Sequence, residues 1–132
     1  MQIKAMKLLF AYGFSTLLLC SCTSSQKVMT ICDMAENAND LNQATVRIRA
    51  TYLPDRMHGS VLVDKNCPDV ALNPMPLMSA KTEAFRRAVF GDIYHPATPF
   101  KIDFSGKFTA EKDGKLIGNV EILEVHSYEK QK

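Results

Sequence analysis

The 132-residue chain contains no tryptophan, and its most apolar stretch, Leu8 to Leu19 (LLFAYGFSTLLL), is only 12 residues long. A helix needs roughly 20 apolar residues to cross the hydrocarbon of a bilayer, so this stretch is short for a permanent anchor. An excess of charge is also missing. Once Lys4 and Lys7 at the N-terminus are set aside, the 14 Lys and Arg that remain are matched by 14 Asp and Glu. Binding to nucleic acid normally requires clustered cations that displace counterions, and this balance removes the compositional case for a nucleic-acid partner.

Reactive spacings are absent as well. There is no Cys-x-x-Cys, no His-x-x-x-His, no Gly-x-Ser-x-Gly and no glycine-rich phosphate loop, so the linear patterns of redox pairs, metal sites, hydrolase elbows and nucleotide cradles are missing. His58, His95 and His126 are scattered, and no metal or other cofactor is expected. Asp55, Asp64 and Asp103 read as solvated carboxylates. No catalytic residue stands out, and a non-enzymatic protein is expected. There is no internal repeat and no low-complexity segment. With 46% hydrophobic and 23% charged residues, the composition is that of an ordinary folded domain.

What is present is an N-terminal leader. Lys4 and Lys7 precede the apolar run, and small or polar residues follow at once, which is the layout of a secretory signal; a helix that stays in the membrane is the alternative. Leu19-Cys20-Ser21-Cys22 resembles the lipobox of bacterial lipoproteins, with Ser21 in the small position before Cys22. The resemblance implies cleavage before Cys22 and acylation of that cysteine. Cys20 departs from the usual small or aliphatic residue in its slot. Several acyl chains, each CH₂ contributing about 0.8 kcal/mol, make a stable anchor. Thr23, where Asp would favour inner-membrane retention, implies the periplasmic face of the outer membrane. The expected organisation is therefore a signal peptide over 1–21, a lipidated tether over 22–29 and one domain over 30–132.

On that reading Cys20 leaves with the leader and Cys22 carries lipid, so Cys32 and Cys67 remain as a pair in an oxidising compartment. A disulfide is expected between them, and closing about 35 residues would contribute roughly 4 kcal/mol in the chain-entropy model. Free thiols or a redox-active pair are the alternative.

Thr30 followed by Asp33 suggests an N-cap for a short helix over Ile31 to Ala38. From Val46 the period changes to two: Val46, Ile48, Ala50 and Tyr52 alternate with Arg47, Arg49, Thr51 and Leu53, which predicts a half-buried strand. "PDRMHG" is a turn, Ser60 to Asp64 a second strand and Val70 to Leu72 a short third. Ser79 is a candidate cap for a helix over Ala80 to Phe90, with Ala84, Phe85, Ala88 and Val89 on one face and Gly91 as its stop. Phe100, Ile102, Phe104 and Phe108 alternate along a long strand with a bulge or bend at Gly106. Lys112 to Lys115 form a hairpin turn, and Ile117 to Tyr128 a last strand whose phase changes near Ile122 and Leu123.

Three strands, a helix and two long strands is the element order of the OB-fold, a mainly β, five-stranded Greek-key barrel with its helix between strands 3 and 4; an unrelated α+β sheet packed by one helix is the alternative. The stretch "VRIRATYLPDRMHGSVLVDKNCP" also resembles small exported bacterial OB-type proteins of unknown function. In that fold the usual ligand surface is the face of strands two and three with the first and last hairpin loops. The candidate binding residues are therefore Arg56 and His58 in one loop, Lys112 and Lys115 in the other, and Arg47 and Arg49 pointing outward from the first strand. A weakly basic surface of this kind suits an anionic glycan, a lipid headgroup or an envelope protein; ordinary solvated charge is the competing explanation. The expected function is a lipid-anchored binding or scaffolding module of the cell envelope, with a small-solute or metal binder, or an enzyme, as alternatives.

Overall fold

Alternation along the chain becomes a barrel because each strand has one apolar face to bury. The computed structural model describes residues 26–55, 57–91 and 98–132; the leader, Cys22, Arg56 and His95 lie outside the described residues. The strands are β1 (Val28–Met29), β2 (Thr45–Leu53), β3 (Val61–Val63), β4 (Ala71–Pro74), β5 (Phe100–Asp113) and β6 (Leu116–Lys130), and the helices are α1 (Ile31–Glu36) and α2 (Glu83–Phe90). Hydrogen bonding runs β2-β3-β4-β6-β5 and returns from β5 to β2. The β4–β6 pairing is parallel, and the other barrel pairings are antiparallel. This is the expected mainly β, OB-like barrel, with α2 between its third and fourth strands and a short helix before the first.

Inward residues of the paired strands meet across the core. Val46, Ile48, Ala50 and Tyr52 of β2 lie opposite Gly106, Phe104, Ile102 and Phe100 of β5. Phe104, Phe108, Ile48, Leu62, Leu72 and Val120 are fully buried, joined by Ile31 and Met34 of α1. Each such side chain contributes about 1.5–3 kcal/mol by leaving water. Phe85 of α2 makes edge-on contacts with Tyr52 and Phe100, centroids 5.1 and 5.7 Å apart, and a tilted one with Tyr128 at 5.4 Å.

Helix α1 begins at a capping box: Asp33 N–H donates to Thr30 Oγ1 at 3.1 Å and Thr30 N–H to Asp33 Oδ2 at 2.9 Å. It ends two residues earlier than expected, at Glu36. The region of α2 differs more. Ala80–Thr82 form a 3₁₀ turn before the α-helix starts. Thr82, Phe85 and Val89 are buried, whereas Ala84 and Ala88 are exposed. Ser79 makes no cap hydrogen bond; its hydroxyl donates to the Leu123 carbonyl at 3.0 Å and so ties this turn to β6. In the first turn of α2, Arg86 and then Arg87 hold the partly exposed Glu83 carboxyl at about 2.

The expected irregularities in the long strands are present. The β5–β6 register shifts between Ser105 and Gly106, whose partners are Glu124 and Ile122, leaving Leu123 as the extra residue. A second shift between Asp103 and Phe104 leaves out His126. Gly106 is needed for closeness, not for an unusual φ. A methyl group there would meet the Glu121 carbonyl oxygen at 2.6 Å and Val120 Cγ2 at 2.9 Å.

The N-terminal boundary also departs from expectation. Val28–Met29, read as the end of a tether, pairs in parallel with Arg47 and Ile48. Because β3 covers only Thr51 to Leu53 of β2, the other half of that edge would expose unpaired backbone groups. Strand β1 fills that gap.

Candidate binding groove

Outward residues of β2, β5 and β6 form the floor of a groove of about 630 Å³. Arg49 and Thr51 lie opposite Asp103 and Lys101, which in turn lie opposite Ser127 and Glu129. One wall is made by Thr30, the cap of α1, and by Asp64 and Lys65 after β3. The volume falls within the ~300–1,000 Å³ range of ligand sites. Arg49, Lys65 and Lys101 are balanced by Asp64, Asp103 and Glu129, so the lining carries both signs in equal number.

The wall is cross-linked. Cys32 in the first turn of α1 and Cys67 after β3 form a disulfide across a Cα separation of 5.7 Å. Thr30 precedes Cys32 by two residues, and the Asp64 carbonyl accepts from Cys67 N–H at 3.2 Å. The Asp64 carboxylate also lies near both sulfurs, but cysteines joined to each other have no thiolate to offer a metal.

Asp103 is not the solvated carboxylate expected from the sequence. Its side chain is only 9% exposed and accepts three hydrogen bonds: from Arg47 Nε and Nη2 at 2.8 and 3.0 Å, and from Arg49 Nε at 3.1 Å. The paired contact from Arg47 is the strong, planar kind of ion pair. Arg47's hydrogen bonds are the largest cause holding the Asp103 carboxyl below its usual range; burial opposes this, and Arg49 adds to it. Arg49 reaches Asp103 through Nε, and its side chain is 67% exposed beside the groove.

The remaining expected contact residues are not gathered here. His58 sits in the exposed loop beyond the C-terminal end of β2, where Asp55 accepts from the Met57 and His58 N–H groups at 2.8 and 3.0 Å and lies 3.2 Å from the His58 ring. Lys112 and Lys115 belong to the β5–β6 hairpin beyond the opposite end, where Thr45 pairs with Lys107. They line a second hollow of about 460 Å³ together with Ala35, Ala38 and Val70. A nine-residue strand separates these loops, about 30 Å at the usual rise. Sequence reading missed Lys65, Lys101 and Glu129. Their outward phase was legible only for Lys101, between Phe100 and Ile102.

Ser105 Oγ lies 2.7 Å from His126 Nε2, the spacing of a nucleophile and its base. The hydroxyl also donates to Gln26 Oε1 at 3.4 Å, and the ring is exposed. The pair joins β5 and β6 on the outer surface and, through Gln26, the segment before β1.

No protein-family model matches the chain, and a comparison with curated proteins found no match. Among solved structures it is similar to one titled "Crystal structure of a putative aspartyl-tRNA synthetase from Leishmania major Friedlin", at 15% identity and a TM-score of 0.46, over 86% of this chain and 22% of that one. The chain thus spans about a fifth of that protein's length, and a likeness at this level carries no functional inference.

Proposed function

We propose that this protein is a non-enzymatic binding module of the bacterial cell envelope, exported and anchored through lipid on Cys22, that holds a glycan in the groove over Arg49, Thr51 and Lys101. The Cys32–Cys67 bridge carries the reading. A structural disulfide suits an oxidising, extracytoplasmic compartment, and the bridged segments are those that wall the groove. Reversible uptake of a ligand favours a surface fixed before binding, since ordering it on contact would cost affinity.

The mixed charge of the lining supports a polar ligand of low net charge over the polyanion suggested by the arginines alone. A sugar chain, rich in hydroxyls that donate and accept, suits alternating Arg, Thr, Lys, Ser and Glu side chains. Thermal-shift titration with soluble cell-wall glycan fragments tests this. The melting temperature should rise with ligand concentration, and the rise should be lost in the double variant Arg49→Ala, Lys101→Ala. No rise with any fragment, or the same rise in the variant, would remove the groove as the binding site.

A further inference from the structure

Exposed apolar side chains in the described residues are few, and Met78 (88% exposed), Met75 and Leu123 are among them. Ser79, next to Met78, holds the Leu123 carbonyl, so Met78 and Leu123 come from adjoining segments. Glu124, beside Leu123, pairs with Ser105 across the sheet and meets Lys81 at 4.0 Å. Ser105 in turn bonds Gln26, whose side-chain amide donates to the Thr45 carbonyl at 2.8 Å. Gln26, Ser105, Leu123 and Met78 therefore follow one another across the outer surface of the barrel. Met57, equally exposed at 87%, belongs to the loop past the far end of β2.

Gln26 is four residues from Cys22, at most about 14 Å of extended chain. We propose that the lipid bilayer itself covers the Met78–Leu123 patch: the short tether draws the Gln26 face of the barrel down, and these side chains enter the boundary between headgroups and acyl chains. This inference rests on the reading of Cys22 as the anchor. Apolar faces of interfacial segments enter the boundary between headgroups and acyl chains by about 5–10 Å, and the long, unbranched Met78 side chain on its loop, with Leu123 on its bulge, projects toward that boundary. The groove floor lies further along β2 and β5, at Thr51 and Lys101, on the same outward face.

The natural absence of tryptophan gives a direct test. Met78→Trp, Leu123→Trp and Met57→Trp are introduced singly into the mature lipoprotein, which is extracted from membranes and reconstituted in vesicles of phosphatidylethanolamine and phosphatidylglycerol. Met78→Trp and Leu123→Trp should emit at shorter wavelength and lose much of their emission to lipids brominated on the upper acyl chain, while Met57→Trp stays open to aqueous iodide. Iodide quenching of all three variants alike would overturn the proposal. So would shielding of Met78→Trp from iodide without quenching by bromolipid, which would mean that a protein partner or second copy covers the patch. Flotation with the vesicles reads the anchor separately: failure to float overturns the anchoring reading and this inference together, whereas a floating protein with Met78→Trp open to iodide overturns this inference alone.

Discussion

Asp103 decides how the outer face of the barrel is organised, because a carboxylate so poorly exposed must be neutralised where it stands. Arg47 does most of this and Arg49 completes it. Asp103→Asn keeps the shape but removes the charge, and should lower stability at neutral pH by about 1.5–3 kcal/mol, the range for hydrogen bonds to charged groups. The pH dependence follows from the depressed carboxyl. Because the native pKa lies below the ordinary 3.8, the unfolded chain takes up the proton first. The contribution is therefore fully present above about pH 4 and disappears as pH falls through the native value. Urea unfolding of both proteins from neutral pH down to about pH 2 should show the two stabilities converging on acidification; a constant gap would mean that Asp103 contributes by packing. Sequence reading could not find this cluster, since Asp103 lies 56 residues from Arg47 and the contact exists only once β2 and β5 are in register.

Among the elements, strands with a regular alternation were legible and irregular connections were not. The inward phases of β2 and β5, the bulge at Leu123 and the helix between the third and fourth barrel strands all follow from period and turn chemistry. Strand β1 has two residues, too few to carry a period, and it exists because β3 is short. Ala84 and Ala88 share the spacing of an apolar face with Phe85 and Val89, but the helix rests on the barrel only along the Phe85–Val89 line, and the small side chains beside it stay in solvent. Gly91 ends α2 where a helix stop was expected, but its φ of −68° is right-handed; its role there is not the left-handed cap that sequence reasoning assumes. The two long strands give a prediction of their own. Gly106→Ala would push a methyl group into the Glu121 carbonyl, so β5 and β6 must separate at that point. A loss of about 1–3 kcal/mol is expected, as for other overpacked core sites, measured by urea unfolding. Wild-type stability in that variant would show that the strands yield freely there.

At the scale of the whole molecule, the fold was legible and the groove was not. Element order specified the barrel, but the face used by other OB-folds divides here between two loops at opposite ends of β2. The groove lies instead across β2, β5 and β6, where alternating polar residues look like ordinary solvated surface until the strands are laid side by side. On the proposed reading, compartment, cross-link and tether form one account: export would leave Cys32 and Cys67 to form the bridge seen beside the groove wall, and acylation of Cys22 would keep that groove beside the membrane. Intact mass spectrometry of the protein from native membranes, alkylated without reduction, tests these together. The account predicts a chain beginning at Cys22, heavier by its acyl groups and with no alkyl label on Cys32 or Cys67; an unacylated chain retaining its leader, with both thiols labelled, would contradict it.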